Sequence, residues 1–274
     1  MQSRKIYRKM HLKSKIKYGT FLLLIVYVQA FAQGNKLFQS NNFTPIDQSL
    51  YNSIVPGSIF FIDAANNNSY PGTGTTWNDL SGNSNHLTIP TLLANTFTNT
   101  NGGSFLFGQL STHTITKSPL SNFSFTPSSG ITVEVWYKRA VSNDFQFWVS
   151  DNAANYRFGT TSTGTMFWNM GTRADRSPGG YTLPANVWKH IVFTGSTEGS
   201  TIMTRVFVDG VQVLTQDEGY NTIASFPSLL IGSGELNSVY LLKGNLAVCR
   251  IYKKALTISE IQQNFNVNKS RFGL

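Results

Sequence analysis

The run Thr132-Val133-Glu134-Val135-Trp136-Tyr137 alternates with a period of two: Val133, Val135 and Tyr137 face one way, Glu134 and Trp136 the other. That pattern predicts a half-buried β-strand, and several neighbouring stretches repeat it. Residues 145 to 170 read as a three-strand meander. Its segments are Phe145 to Val149, Tyr156 to Thr160 and Thr165 to Met170, joined by Ser150 to Asn155 and by Thr161 to Gly164. Arg205 to Val208 and Val211 to Leu214 flank Asp209-Gly210, a dipeptide that tolerates the positive φ angles of a type I′ turn, and so predict a hairpin. Leu246 to Tyr252 predicts a further strand, with Ala247, Cys249 and Ile251 on one face.

From Ile59 onward these short runs are broken by Gly, Asn, Ser and Pro about every ten residues, the spacing of a β-sandwich or jelly roll. The clear helical signal comes at the end. Thr257-Ile258-Ser259-Glu260 matches a capping box, and Ile261 and Phe265 follow at a spacing of four. The predicted fold class is all-β: a two-sheet antiparallel sandwich of jelly-roll type with a short C-terminal helix packed on it.

Composition narrows the chemistry. The 274 residues are 41% hydrophobic and only 13% charged, with one cysteine and four histidines. An internal disulfide and a cysteine-based zinc site are excluded, and thiol or transition-metal catalysis has little to work with. The net charge of +9 is concentrated at one end. Arg4, Lys5, Arg8, Lys9, Lys13, Lys15 and Lys17 precede any acid, leaving 15 bases against 13 acids in the rest of the chain. The body is nearly neutral, so the phosphate-neutralising attraction that drives nucleic-acid binding is largely missing.

After the basic stretch comes an apolar run, Thr20 to Val28, shorter than the roughly 20 residues a membrane-spanning helix needs. Ala30 and Ala32 complete an A-x-A cleavage pattern. Residues 1–32 are therefore expected to be a signal peptide, or an anchor if uncleaved. Residues 33–55 are expected to be a polar arm, and 56–274 the β domain. The expected location is outside the cell or on its surface, with no membrane span after cleavage.

Ser129 to Trp136, Val187 to Phe193, the Val208 to Val211 turn, and Gly244 to Val248 leading into Ile251 to Thr257 occur in an order that resembles the laminin-G-like, concanavalin A-like lectin superfamily. Ser69 to Asn83 looks like the opening motif of its bacterial and phage branch. The resemblance spans about Ile59 to Leu274 and implies a carbohydrate- or surface-binding module. A phage or virus structural adhesin and a glycoside hydrolase of the same fold are the alternatives. It also implies a calcium site, but this chain departs from the family where acids would serve. Phe105 to His113 lacks the usual Asp-Tyr turn, and Leu246-Ala247 stands where relatives carry an acidic pair.

Catalytic residues are not expected. A retaining glycosidase needs two carboxylates about 5 Å apart, and no strand segment carries acids two or four apart. No Gly-x-Ser-x-Gly elbow is present; His190 reads as structural, and His86 and His113 as solvated loop residues. Trp77, Trp136 and Trp188 read as core or sheet-packing residues. The expected ligand site is the meander, where Trp148 and Trp168 would offer ring faces to a glycan and Asp151, Asn152, Asn155, Arg157, Arg173 and Asp175 would bond its hydroxyls. The same residues also read as a solvated loop over two packed tryptophans. The expected partner is a glycan or glycosylated cell surface rather than nucleic acid.

Overall fold

In the computed structural model, residues 48–126, 128–171, 175–222, 226–234 and 240–274 are described. The expected signal segment, most of the expected arm and Arg173 lie outside these residues. Among them the strands form two main antiparallel sheets and one two-stranded pair.

The strands of the larger sheet are β1 (Ser58–Asp63), β4 (Phe97–Thr98), β5 (Ser104–Gly108), β7 (Ile131–Arg139), β11 (Trp188–Glu198), β12 (Thr201–Val208), β13 (Val211–Asp217) and β15 (Lys243–Tyr252). They run in the order β13-β12-β11-β7-β15-β5-β4. Along its other edge β15 pairs first with β5 and then with β1. The smaller sheet runs β10 (Met166–Met170), β9 (Tyr156–Thr160), β8 (Gln146–Ser150), β14 (Leu229–Ile231) and β6 (Ile115–Lys117). A short pair, β2 (Thr76–Trp77) and β3 (Leu87–Thr88), lies between β1 and β4 in the chain.

The two sheets share one core. Val133, Val135 and Tyr137 of β7 meet Trp148, Phe158, Met166 and Trp168 of the smaller sheet in a single buried cluster. The other face of β7 is buried too. Trp136 stacks on Phe272 at 4.3 Å and on Phe265 at 5.9 Å, because helix α3 (Ile258–Asn268) and the turn after it cover the larger sheet from outside. Helices α1 (Gln48–Tyr51) and α2 (Thr91–Ala94) precede it as single turns. The capping box is formed as predicted, with the Glu260 amide donating to the Thr257 hydroxyl and the Thr257 amide to the Glu260 carboxylate. At the hairpin, Asp209 and Gly210 have φ of 52° and 77°, the left-handed pair that a type I′ turn requires.

In three places the structure differs from the sequence reading. Ala247 does not share a face with Cys249 and Ile251, because the pairing with β7 slips between Leu246 and Val248. This bulge turns Ala247 out toward Trp136 and Trp188 while Leu246, Cys249 and Ile251 stay in the core. Burial reaches further back than residue 56. Ile54 and Val55 are buried, and the Val55 amide donates to Asn264 Oδ1 at 2.9 Å. His113 is not solvated either: it is buried, and its Nδ1 accepts the Gly108 amide at 3.1 Å.

Candidate functional site

Trp148 and Trp168 are both fully buried, so neither ring offers a face to a ligand. They point inward because β8 and β10 place them in phase with the core residues Phe158 and Met166. Trp168 packs 5.8 Å from Phe193 of the larger sheet. Its indole Nε1 donates to Glu218 Oε1 at 2.8 Å, and Arg176 donates to the second Glu218 oxygen at 2.9 Å. The tryptophans thus follow the second of the two sequence readings: they are core residues and not sugar platforms.

The connection between β8 and β9 is built around Asp151, whose carboxylate is used inside the loop and not offered to a ligand. Asp151 is fully buried; its Oδ1 accepts the Asn155 amide at 2.8 Å and the Tyr156 amide at 3.1 Å. Burial raises its pKa, and those amide bonds offset only part of the rise. Asn152 is exposed and its amide is fixed by the Ser228 hydroxyl, while the Asn155 carbonyl accepts the Gly171 amide. Asp151, Asn152 and Asn155 therefore shape the loop through Asp151's carboxylate and their backbone.

Arg157 and Asp175 do come together. Alternation against the inward Phe158 and Trp168 turns Arg157 and Asn169 to the outer face of the smaller sheet, where the two are directly paired across β9 and β10. Arg157 Nη1 stands 3.5 Å from Asp175 Oδ2, and Asn169 Nδ2 donates to Asp175 Oδ1 at 3.2 Å. The Asp175 side chain is 45% exposed, so the row opens to solvent at that end.

Beside this row lies an aromatic group the sequence reading missed. On the same outer face Phe167 and Phe147 flank Gly159 in register. Phe145 lies 5.2 Å from Phe167 and 5.4 Å from Tyr240, and the Phe147 and Phe167 rings are 5.1 Å apart. Phe147 and Phe167 are buried, whereas Phe145 and Tyr240 are half-exposed. A Cβ on Gly159 would come within 2.8 Å of the Phe147 ring, so that glycine is what lets the ring lie flat on the sheet. Partly exposed rings and a fixed row of guanidinium, amide and carboxylate on one face can cover the apolar side of a saccharide while bonding its hydroxyls.

The concanavalin A-like lectin/glucanases superfamily matches this chain over residues 107–262. The chain belongs to that superfamily. No curated protein sequence matches it. Among solved structures, the binding domain of Paraclostridial Mosquitocidal Protein 1 superposes with a TM-score of 0.56 at 17% identity, over 77% of this chain and 52% of that one. The ligand-binding domain of botulinum neurotoxin serotype D, solved with N-acetylneuraminic acid, gives 0.57 at 14% identity, over 79% and 52%. Domain 4 of an extracellular arabinanase from Geobacillus stearothermophilus, solved with arabinotriose, gives 0.52 at 14% identity, over 77% and 98%. The chain thus spans about half the length of the toxin domains, and at these identities the likeness establishes the fold.

The calcium site that this superfamily implies does not fit the residues present. Leu246 and Ala247 are both fully buried in apolar clusters, so the last strand supplies no side-chain oxygen there. Among the described residues, no three His, Cys, Asp or Glu side chains gather in one place. Among the described residues three buried acids of this concanavalin A-like domain are instead engaged by arginines, Asp63 with Arg271, Glu134 with Arg250 and Glu218 with Arg176, while buried Asp79 and Asp151 accept backbone amides.

Proposed function

We propose that this chain is an exported, non-catalytic glycan-binding module whose ligand lies on the outer face of the smaller sheet. The observation that carries the reading is that partly exposed Phe145 and Tyr240 and the Arg157–Asn169–Asp175 row lie on that one face, with Phe147 and Phe167 between them. Two relatives of the same fold, a toxin binding domain and an arabinanase domain, were solved with a sialic acid and an arabino-oligosaccharide, which makes saccharides the ligand class to test. A hydrolase reading gains nothing from Asp63, Glu134 and Glu218, whose carboxylates are covered by protein and held by arginines. Export is supported by the basic stretch, the apolar run and the A-x-A pattern ending at Ala32.

The test is a glycan array probed with the full chain and with Tyr240→Ala, Phe145→Ala and Arg157→Ala. Each variant is expected to lose the bound set while keeping its unfolding temperature to within a few degrees. Retained binding in all three moves the site off this face. Mass spectrometry of the mature protein tests export, with an N-terminus at Gln33 as the expected result.

A further inference from the structure

Six arginines fall among the described residues. Arg157, Arg176, Arg205, Arg250 and Arg271 each have a carboxylate within ion-pair distance, and Arg139 has none. Yet Arg139 is 7% exposed. It ends β7 on the core-facing side, where its Nε donates to the Leu183 carbonyl at 3.0 Å and its Nη1 is buried without an acceptor. Taking a guanidinium out of water with neither counter-charge nor full hydrogen bonding is strongly unfavourable, so a fold that keeps one invites a reason outside its own stability.

The surroundings of the group are arranged for it. Gly164, in the turn between β9 and β10, has a φ of +92°, and a Cβ there would stand 2.8 Å from the Arg139 guanidinium carbon. The bare glycine thus leaves the guanidinium room to lie against the turn. The same turn carries Thr161, Thr163 and Thr165, whose hydroxyls are linked in sequence at 2.9 and 3.2 Å, with Thr163 exposed.

We propose that Arg139 and the β9–β10 turn form an anion site that takes the carboxylate or sulfate of an acidic saccharide, with the threonine hydroxyls bonding the neighbouring ring hydroxyls. A guanidinium nitrogen gives a carboxylate or sulfate a charge-assisted bond, and the missing counter-charge is what such a ligand would supply. The saccharide class rests on the glycan-binding reading. The anion site itself does not.

The experiment follows the Arg139 side-chain Nε–H signal by NMR in the full chain during titration with sodium D-glucuronate, D-glucose 6-sulfate, D-glucose and sodium acetate. Saturable shifts are expected with glucuronate and the sulfate ester, and none with glucose. In Arg139→Met, the affinity for glucuronate read at the Thr163 and Gly164 amides should fall at least tenfold, with the unfolding temperature unchanged or raised because an unpaired buried charge is gone. An unmoved wild-type signal overturns the site without recourse to any variant, as does equal glucuronate binding by Arg139→Met. Acetate binding as tight as glucuronate overturns the saccharide assignment. Loss of neutral-glycan binding in Tyr240→Ala reports on the outer face alone, so the two readings fail separately.

Discussion

Glu134 Oε1 and His190 Nε2 stand 3.1 Å apart on adjacent strands, both side chains wholly buried. In an open cleft this pairing would suggest acid–base chemistry; here it is part of the joint that fastens α3 to the larger sheet. Arg250 Nη1 donates to the same Glu134 oxygen, Asn264 donates to the other at 2.7 Å, and Arg250 Nη2 donates to Asn268 at 2.9 Å. Burial by itself raises the Glu134 pKa, but the Arg250 charge and the hydrogen bonds from His190 and Asn264 outweigh it and hold the carboxyl at about 2.

That depressed value sets an acid limit on the fold. The folded pKa lies below the ordinary 4.5, so the stabilisation is fully present above about pH 4.5 and is lost as pH falls toward 2. Linkage puts it at roughly 3 kcal/mol. Glu134→Gln is expected to cost about 3–5 kcal/mol at pH 7, since it leaves Arg250 buried without its charge partner. It should also flatten the stability curve between pH 4.5 and 2 in urea melts. A variant whose stability falls with acid as steeply as the wild type would refute the assignment.

The buried tryptophans and the half-exposed rings should separate cleanly by stability. Trp168→Ala removes a core ring and the indole donor to Glu218, and is expected to cost about 3–5 kcal/mol in denaturant unfolding. Tyr240→Ala, at a half-exposed ring, is expected to cost about 1 kcal/mol or less. Similar costs at the two positions would contradict the inward and outward placement.

Much of this arrangement was legible in the sequence because local rules decided it. The period of two in Thr132 to Tyr137, the Asp209-Gly210 turn and the Thr257–Glu260 cap each specify their own geometry within a few residues. The rings of the meander were not decided locally. Phe145, Phe147 and Phe167 alternate with Trp148 and Trp168, and composition does not say which aromatic set faces the core. The slip between Leu246 and Val248 leaves no mark on an apolar run, so Ala247 was placed one face off. Tyr240 lies 95 residues beyond Phe145, and only the fold brings the two rings together. The one local clue was Gly159, a glycine inside a strand, which marks a place where something lies close against the backbone.

Gly159 offers the sharpest steric test. A Cβ there would stand 2.0 Å from the Gln146 carbonyl oxygen and 2.8 Å from the Phe147 ring. Gly159→Ala is expected to disrupt the β8–β9 pairing and leave the protein insoluble or lacking a cooperative melt. Adding Phe147→Ala should not rescue it, because the backbone oxygen remains. A soluble double variant with wild-type melting would show that the ring alone imposes the glycine.

The pKa of Asp151 is shifted in the direction opposite to that of Glu134. Its Oδ2 is buried without a partner while Oδ1 receives two amides, and burial raises its pKa above the ordinary 3.8. With the folded value raised, the group favours the fold below pH 3.8 and loses that contribution as pH rises through the folded value, so at neutral pH the ionised carboxylate works against the fold. Asp151→Asn keeps one oxygen for the Asn155 and Tyr156 amides and removes the charge. Its unfolding temperature is expected to equal or exceed that of the wild type at pH 7, with the difference shrinking toward pH 4. The mechanism requires both parts of that result. A variant that melts several degrees lower at neutral pH would mean that the second oxygen is doing structural work, and that the β8–β9 loop depends on the charge.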